Sequence, residues 1–244
     1  TWGVEAAFTL ESYQKLLDPN YLSVFGRSLW LAVLTTLLTL LIGYPFAYFT
    51  AGLPPKKRSL ALMLVIVPFW TNSLVRIYGW MILLRGQGVV NSLLAALGLI
   101  DAPLKLLYNF GAVLVGMVYA LIPFMILSVY NAVAKLDPAL IEAARDLGAG
   151  RWRAFWTITV PMTRAGIMAG CVLVFIPSIG LFFISDLLGG SKTMLLGNLI
   201  RDELLTARNW PLGAALSVVM MAATLLVIGG YRRLSGEKSL EGIV

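Results

Sequence analysis

Few side chains in this 244-residue chain are able to do chemistry, and their scarcity is informative. There is no histidine and a single cysteine, Cys171. That removes the commonest metal ligand, the usual general base near neutral pH and any intrachain disulfide. No convergent set of nucleophiles, acids or metal ligands is visible, so neither an enzyme nor a metal site is expected. What remains is a small set of polar and aromatic side chains within or at the ends of apolar runs. Asp186 is the only acid that borders an apolar run without an adjacent base. Trp70, Tyr78, Tyr44, Tyr119, Phe182 and Phe183 offer aromatic faces, and Asn72 a neutral acceptor. Such a face attracts a cation by about 0.5–2 kcal/mol. Plainer roles stay open for each: interfacial anchoring for the aromatics, backbone satisfaction beside Pro68 for Asn72, simple solvation for Asp186.

The elements that must position these groups follow from composition. The chain is 59% hydrophobic and only 13% charged, with mean hydropathy +0.85, where a soluble domain carries roughly a quarter charged residues. It is read as an all-α membrane protein. A crossing needs about 20 apolar residues, and reading between charges gives five candidates. They are Ser28 to about Leu53, Ser59 to about Leu84, a stretch within Leu106–Ala134, one within Ala165–Ser185, and one within Asn209–Tyr231. Gly86–Ile100 is apolar but short, and is expected to be an outer loop or a re-entrant helix. Pro45, Pro68, Pro123 and Pro177 each remove a backbone hydrogen bond inside a span. Tolerated kinks and walls that must open are compatible readings of them.

The net charge of +7 does not imply nucleic acid, because the basic residues sit in short segments between apolar runs. One set of loops holds Lys56, Lys57, Arg58, Lys135, Arg145, Arg151, Arg153, Arg164, Arg232, Arg233 and Lys238; the other holds Lys15, Arg27, Arg85, Lys105, Lys192, Arg201 and Arg208, diluted by acids such as Glu5 and Asp101. The positive-inside rule puts the first set and the C-terminus in the cytoplasm. Five spans that begin outside are an odd arrangement, so a further span is expected before Thr1. Residues 1–234 are taken as one transmembrane domain and 235–244 as a cytoplasmic tail.

Arg76 is the awkward residue, a charge inside a span at a depth similar to Asp186. Such a charge finds a partner or snorkels, and pairing with Asp186 is one expectation. The outer segment Met194–Arg208 has apolar residues near helical spacing and reads as a surface helix across the mouth, a dock for an external protein or a plain lid. Gly189-Gly190-Ser191-Lys192-Thr193 is no phosphate loop, since the pattern needs glycine where Ser191 and Asp186 stand.

The strongest pattern lies between the third and fourth spans. Asp137-Pro138 is a helix start with proline at its first position, Ala139 to Leu147 is a good helix former, and Gly148 suits a left-handed end. A second short helix is expected over about Arg151–Thr157, before Pro161. Glu142-Ala143-Ala144, three residues, Gly148, nine residues, Ile158, one residue, Val160 and Pro161 follow in order. This closely resembles the EAA motif of ABC importer permeases, with Val160 where leucine is usual. More of the chain is similar to the polyamine branch of that family, notably Gly43–Ala47, Val67–Tyr78, Glu142–Gly148 and Gly180–Gly190.

The resemblance implies a type I ABC importer transmembrane domain that is not itself an enzyme and forms half of a path for spermidine or putrescine. On such a path Asp186, Asn72 and the aromatic faces of Trp70, Tyr78, Tyr44, Tyr119, Phe182 and Phe183 would hold the ammonium groups, as several weak sites rather than one deep one. Coupling helices near 137–160 would meet an ATPase through Glu142, Ala143, Ala144, Arg145, Asp146, Gly148, Ile158 and Pro161. It further implies a second, non-identical permease, two ATPase subunits that carry ATP and Mg, and a periplasmic polyamine-binding protein. The site is the inner membrane. The same role for another small organic cation is the alternative. An ion-gradient-driven transporter is disfavoured, because buried acids on several spans and inverted repeats are not seen.

Overall fold

The computed structural model describes residues 11–190 and 193–235, the side chains of residues 232, 234 and 235 apart. Glu5, Ser191, Lys192, Lys238 and the tail after Ser235 therefore lie outside the described residues. Among the described residues every regular element is a helix. A short α1 (Glu11–Lys15) leads into α2 (Pro19–Ala51), which Asp18 caps by accepting the amide of Asn20 at 2.8 Å. Next come α3 (Pro55–Trp70), α4 (Ser73–Leu83) and the eight-residue α5 (Val89–Ala96). The long α6 (Phe110–Val133) is followed by α7 (Pro138–Asp146), α8 (Arg151–Ala154) and α9 (Val160–Met162). Then follow α10 (Arg164–Gly180), α11 (Phe182–Ile184), α12 (Leu196–Arg201) and α13 (Trp210–Ser235). Three π-helical turns, Phe155–Thr159, Ser185–Gly189 and Asp202–Thr206, are set between these helices.

Packing centres on α2, α6 and α10. Met125 of α6 lies between Gly43 of α2 and Gly170 of α10, and Gly166 of α10 faces Ser128 and Ala132 of α6. A Cβ on Gly166 would come within 2.9 Å of the Ser128 carbonyl, so only glycine lets these two backbones approach so closely. α10 runs antiparallel to α6, as the Met125–Gly170 and Ser128–Gly166 contacts require. It is antiparallel to α2 as well: Tyr44 reaches Thr163 at the start of α10, while Ser28 reaches Leu196 beyond its other end. One end of the bundle thus carries the 134–163 loop, called here the loop end; the opposite one is the far end. Some hydroxyls buried in α2 turn back on their own helix, Thr36 to the Ala32 carbonyl at 2.7 Å and Thr39 to that of Thr36 at 3.0 Å, while those of Thr35 and Thr50 are left without a partner. Lipid offers no alternative partner to such groups.

Among the described residues three helices, Pro19–Ala51, Phe110–Val133 and Trp210–Tyr231, are long and apolar enough to cross a membrane, and two bent pairs raise the number to as many as five. The five-span expectation holds only if each bent pair is one crossing. The second span is not continuous: α3 and α4 meet at 95°. Pro68 does not itself make the corner. The helix runs two residues further, Thr71 turns extended at ψ 151, and Asn72 starts α4 by accepting the Leu74 amide at 2.8 Å. The fourth span, expected to reach Ser185, ends at Gly180, with Leu181 breaking the helix four residues after Pro177. At its other end it meets the helix before it at 64°.

Gly86–Ile100 holds only α5, too short to cross. Asn91 ties that loop shut, donating to the carbonyls of Arg85 and Leu104 and accepting the Leu104 amide at 2.9 Å. Met194–Arg208 is not a helix laid on the surface. Leu195, Leu196 and Leu199 are buried, the latter two beneath Ala32, Ile179, Leu212 and Leu216, because α12 is drawn down by the amide of Leu196 donating to Ser28 Oγ at 2.8 Å.

Candidate functional site: a helical loop at one end, a cation-rich aromatic face at the other

At the loop end, Asp137 accepts the Ala139 amide at 3.0 Å and Pro138 opens α7. The helix closes on Gly148, whose φ of +83° is left-handed, with Gly148 N–H donating to Arg145 O at 2.9 Å and Ala149 N–H to Ala144 O at 2.9 Å. Nothing on α7 is buried. Glu142, Ala143, Arg145, Asp146 and Gly148 are exposed, Ala144 is half-buried, and Leu147 is 89% exposed.

The second helix is longer than expected, since α8 passes through the π turn 155–159 into α9. Ile158 is half-buried in that turn and Pro161 is exposed just after it. Phe155 fixes this segment to α2, with edge-to-face contacts to Tyr44 at 5.7 Å, Tyr48 at 5.5 Å, Trp152 at 6.3 Å and Trp156 at 5.3 Å. The sequence pattern gave no reason to single out Phe155; an aromatic residue among four others at the foot of a span was the one available signal. Beside it lies an apolar cavity of about 1090 Å³, lined by Leu37, Leu41, Pro45, Tyr48, Trp152 and Phe155, with Arg145 and Arg151 also in its wall. Tyr44 belongs here too. It is buried, and its hydroxyl is 3.0 Å from that of Thr163, so it stands at the loop end apart from the other expected path residues.

At the far end the expected Arg76–Asp186 pair is not formed. Asp186, in the π turn 185–189, pairs with Arg201 through Arg201 Nη1 and Asp186 Oδ2, while its Oδ1 accepts Asn198 Nδ2 at 2.6 Å. Arg201 also binds Asp202 Oδ1 through Nη2 at 2.8 Å and Nε at 3.0 Å, and lies 5.2 Å from the centroid of the Phe182 ring. The hydrogen bonds to Asp202 and then to Asp186 hold the guanidinium above its ordinary pKa. Two carboxylates thus share one cation. Sequence reading missed Arg201 because the break at Leu181 and the burial of α12 fold residues 15 apart onto each other. Phe183 is half-buried and packs on the main core.

Arg76 finds aromatic partners instead. Its guanidinium carbon lies 5.4 Å from the Phe69 centroid and 5.7 Å from that of Tyr119, and its buried Nε has no hydrogen-bond partner. Phe69 meets Phe124 edge-on at 5.1 Å, and Trp80 meets Tyr119 at 5.5 Å. Trp70, 80% exposed, and Tyr78 flank the same corner, and Asn72 serves as its helix cap.

Residues 41–236 match the family described as binding-protein-dependent transport system inner membrane component. The chain belongs to that family. Among curated relatives of this inner membrane component is the spermidine/putrescine transport system permease protein PotB of Escherichia coli (strain K12), 49% identical over 96% of this chain and 86% of that protein. The protein of the same name from Haemophilus influenzae is 47% identical over 92% of this chain and 79% of that protein. Among solved structures, a bacterial alginate ABC transporter in complex with its alginate pentasaccharide-bound periplasmic protein superposes with a TM-score of 0.79, at 19% identity over 96% of this chain and 84% of that one. The MetNI methionine ABC transporter gives 0.62 at 16% identity, covering 90% and 98%. At these identities the structures establish the fold alone, an all-α type I ABC importer transmembrane domain; membership of the family makes the chain a multi-pass inner-membrane protein.

Proposed function

We propose that this chain is the permease subunit of an ATP-driven bacterial importer for spermidine and putrescine. It forms half of the translocation path and performs no catalysis itself. One observation carries the reading: near-full-length identity of 49% to a permease named for that transport system. The partners are a second, non-identical permease, two ATPase subunits that bind ATP and Mg, and a periplasmic polyamine-binding protein. In this reading the loop end faces the cytoplasm, in keeping with the basic residues Arg145, Arg151 and Arg153 there, and so does the C-terminus.

The chemistry of the two ends supports the division of labour. An unburied α7 ending at Gly148, followed by a helix pinned to α2 through Phe155, is a lever with a free tip and a fixed root. Glu142, Arg145 and Asp146 on that tip offer charges to an ATPase cleft, and Ala143 and Ala144 permit close approach. At the far end Asp186 and Asp202, short of one cation, and the ring of Phe182 supply what an ammonium group needs. Trp70, Tyr78, Asn72 and Tyr119 continue the polar and aromatic lining around the α3–α4 corner.

The test is reconstitution of the chain with its second permease, ATPase and binding protein in vesicles. Accumulation of labelled spermidine and putrescine is followed beside ATP hydrolysis. Coupled uptake of either amine supports the reading. Uptake of an unrelated solute alone ends the polyamine assignment and leaves the importer class standing.

A further inference from the structure

The corner between α3 and α4 contains an arrangement that the importer reading does not account for. Phe69 sits at the end of α3, Arg76 lies in the first turn of α4, and Tyr119 comes from α6. The Arg76 guanidinium reaches across the 95° bend to lie against both rings, at 5.4 and 5.7 Å. Each ring is steadied by a second aromatic, Phe69 by Phe124 and Tyr119 by Trp80. Two braced aromatic faces converging on one delocalised cation are the chemistry by which a protein recognises an organic ammonium.

From this geometry we infer that Phe69 and Tyr119 form an ammonium subsite on the path, that Arg76 occupies it in the resting state as a tethered stand-in for substrate, and that an aliphatic oligoamine displaces it. The inference rests on the polyamine reading above and adds the residues that sense arrival. Three features make the stand-in displaceable. Its Nε–H is buried without an acceptor, so the resting pose leaves a polar group unsatisfied. The side chain is long and unbranched, and Leu74, Val75 and Tyr78 beside it on α4 are exposed, so the guanidinium has somewhere to go. An arriving polycation also repels it, the more strongly where water is scarce.

Displacement has a mechanical result. With Arg76 in place, α3 and α4 are stitched across their corner by its contact with Phe69. With an ammonium in its place, that stitch is cut and the corner is free to change angle. The same cation also guards the empty path, because a fixed positive charge there opposes passage of small inorganic cations while no substrate is bound.

The experiment uses the complete complex in vesicles, comparing the parent chain with Arg76→Gln, Phe69→Leu, Tyr119→Leu and Tyr119→Phe. Initial rates of labelled spermidine uptake give KM and kcat, and ATP hydrolysis is measured without substrate. Removing the resident competitor in Arg76→Gln lowers KM and raises substrate-independent hydrolysis. Removing a ring raises KM by about two- to thirty-fold, the span that a cation–π contact is worth. Tyr119→Phe, which keeps the ring, restores most of the affinity lost in Tyr119→Leu. A KM that rises in Arg76→Gln as it does in the ring variants overturns the inference, as does a Tyr119→Phe as impaired as Tyr119→Leu. If Arg76→Gln fails to assemble by gel filtration, the Phe and Leu pair at position 119 decides alone. Absence of spermidine uptake by the parent complex overturns the polyamine reading and the subsite with it. Uptake by the parent with unchanged KM in both ring variants overturns only the subsite.

Discussion

The hydroxyls of Tyr44 and Thr163 lie 3.0 Å apart, joining the loop-end part of α2's buried face to the residue at which α9 bends into α10. Thr163 also donates to the Thr159 carbonyl at 2.7 Å, which leaves Tyr44 as the donor of the bond between the two hydroxyls. The pair spans 119 positions of sequence and meets where the loop joins the bundle. Tyr44→Phe keeps the edge-on contact with Phe155 and loses only this bond. The expected loss of stability is about 0.5–1.5 kcal/mol. Uptake per ATP hydrolysed should fall further than the melting temperature of the purified complex suggests; an unchanged ratio refutes a role in coupling.

Gly148 is the left-handed residue that closes α7, at φ +83°. Nothing lies within 4 Å of where its Cβ would be, so a substitution there tests backbone conformation without a clash. Gly148→Val forces a β-branched residue into the left-handed region at a cost of about 1–2 kcal/mol. α7 should then lose its orientation while the distant bundle is untouched. Substrate-stimulated ATP hydrolysis is expected to fall at least several-fold, with binding of the external protein to vesicles retained. Full stimulation in this variant contradicts the lever reading of α7.

Asp186, Asn198 and Arg201 form one network, so their substitutions should not add. Arg201→Gln leaves Asp186 and Asp202 without their shared cation, and Asp186→Asn leaves Arg201 to Asp202 alone. Arg201 and Asp186 are 31% and 37% exposed, so water screens the pair and its coupling is expected to be about 1 kcal/mol or less. A double-mutant cycle on the melting temperature in low salt measures it, and high salt should shrink it. Transport separates the roles: Asp186→Asn should raise KM for spermidine while assembly and basal ATP hydrolysis persist. Equal loss of assembly in both single variants would mean the network only holds the far end together.

Gly166 packs against Ser128 and Ala132, and its own carbonyl accepts Ser128 Oγ at 3.0 Å. Gly166→Val drives two branches into that contact. Overpacking of this kind costs about 1–3 kcal/mol, and the α6–α10 hydrogen bond is lost with it. The complex should assemble poorly and melt several degrees lower in detergent. Normal yield and melting would show that α6 and α10 do not depend on this approach.

Much of the loop was legible from one line of sequence. Asp137, Pro138 and Gly148 act over three or four residues, so capping chemistry alone located both ends of α7. The long apolar runs likewise announced α2, α6 and α13. What escaped was set by tertiary contact. The 95° corner was hidden because Thr71, Asn72 and Ser73 interrupt the apolar run only briefly, and hydropathy averaged over a span does not register an Asn that caps a new helix. Arg76 was assigned an acid because a buried charge needs a partner. Two rings on neighbouring helices met that need, and no periodicity reveals such a triad. Arg201 was counted among outer loop charges, since the break at Leu181 that brings Asp186 beneath it has no signature beyond a proline four residues earlier. The three π turns were equally silent, although two of them hold the coupling segment and Asp186.

The glycine-lined contact of α2, α6 and α10 carries a last implication. Three rods meshed at Gly43, Gly166 and Gly170 have no clearance to slide past one another, so any stroke delivered at Pro161 must swing them together as a single oar. Give in the molecule is confined to the corners at Thr71, Thr163 and Leu181. A crosslink across any one of those joints should stall the cycle, whereas one placed between the rods should cost it little.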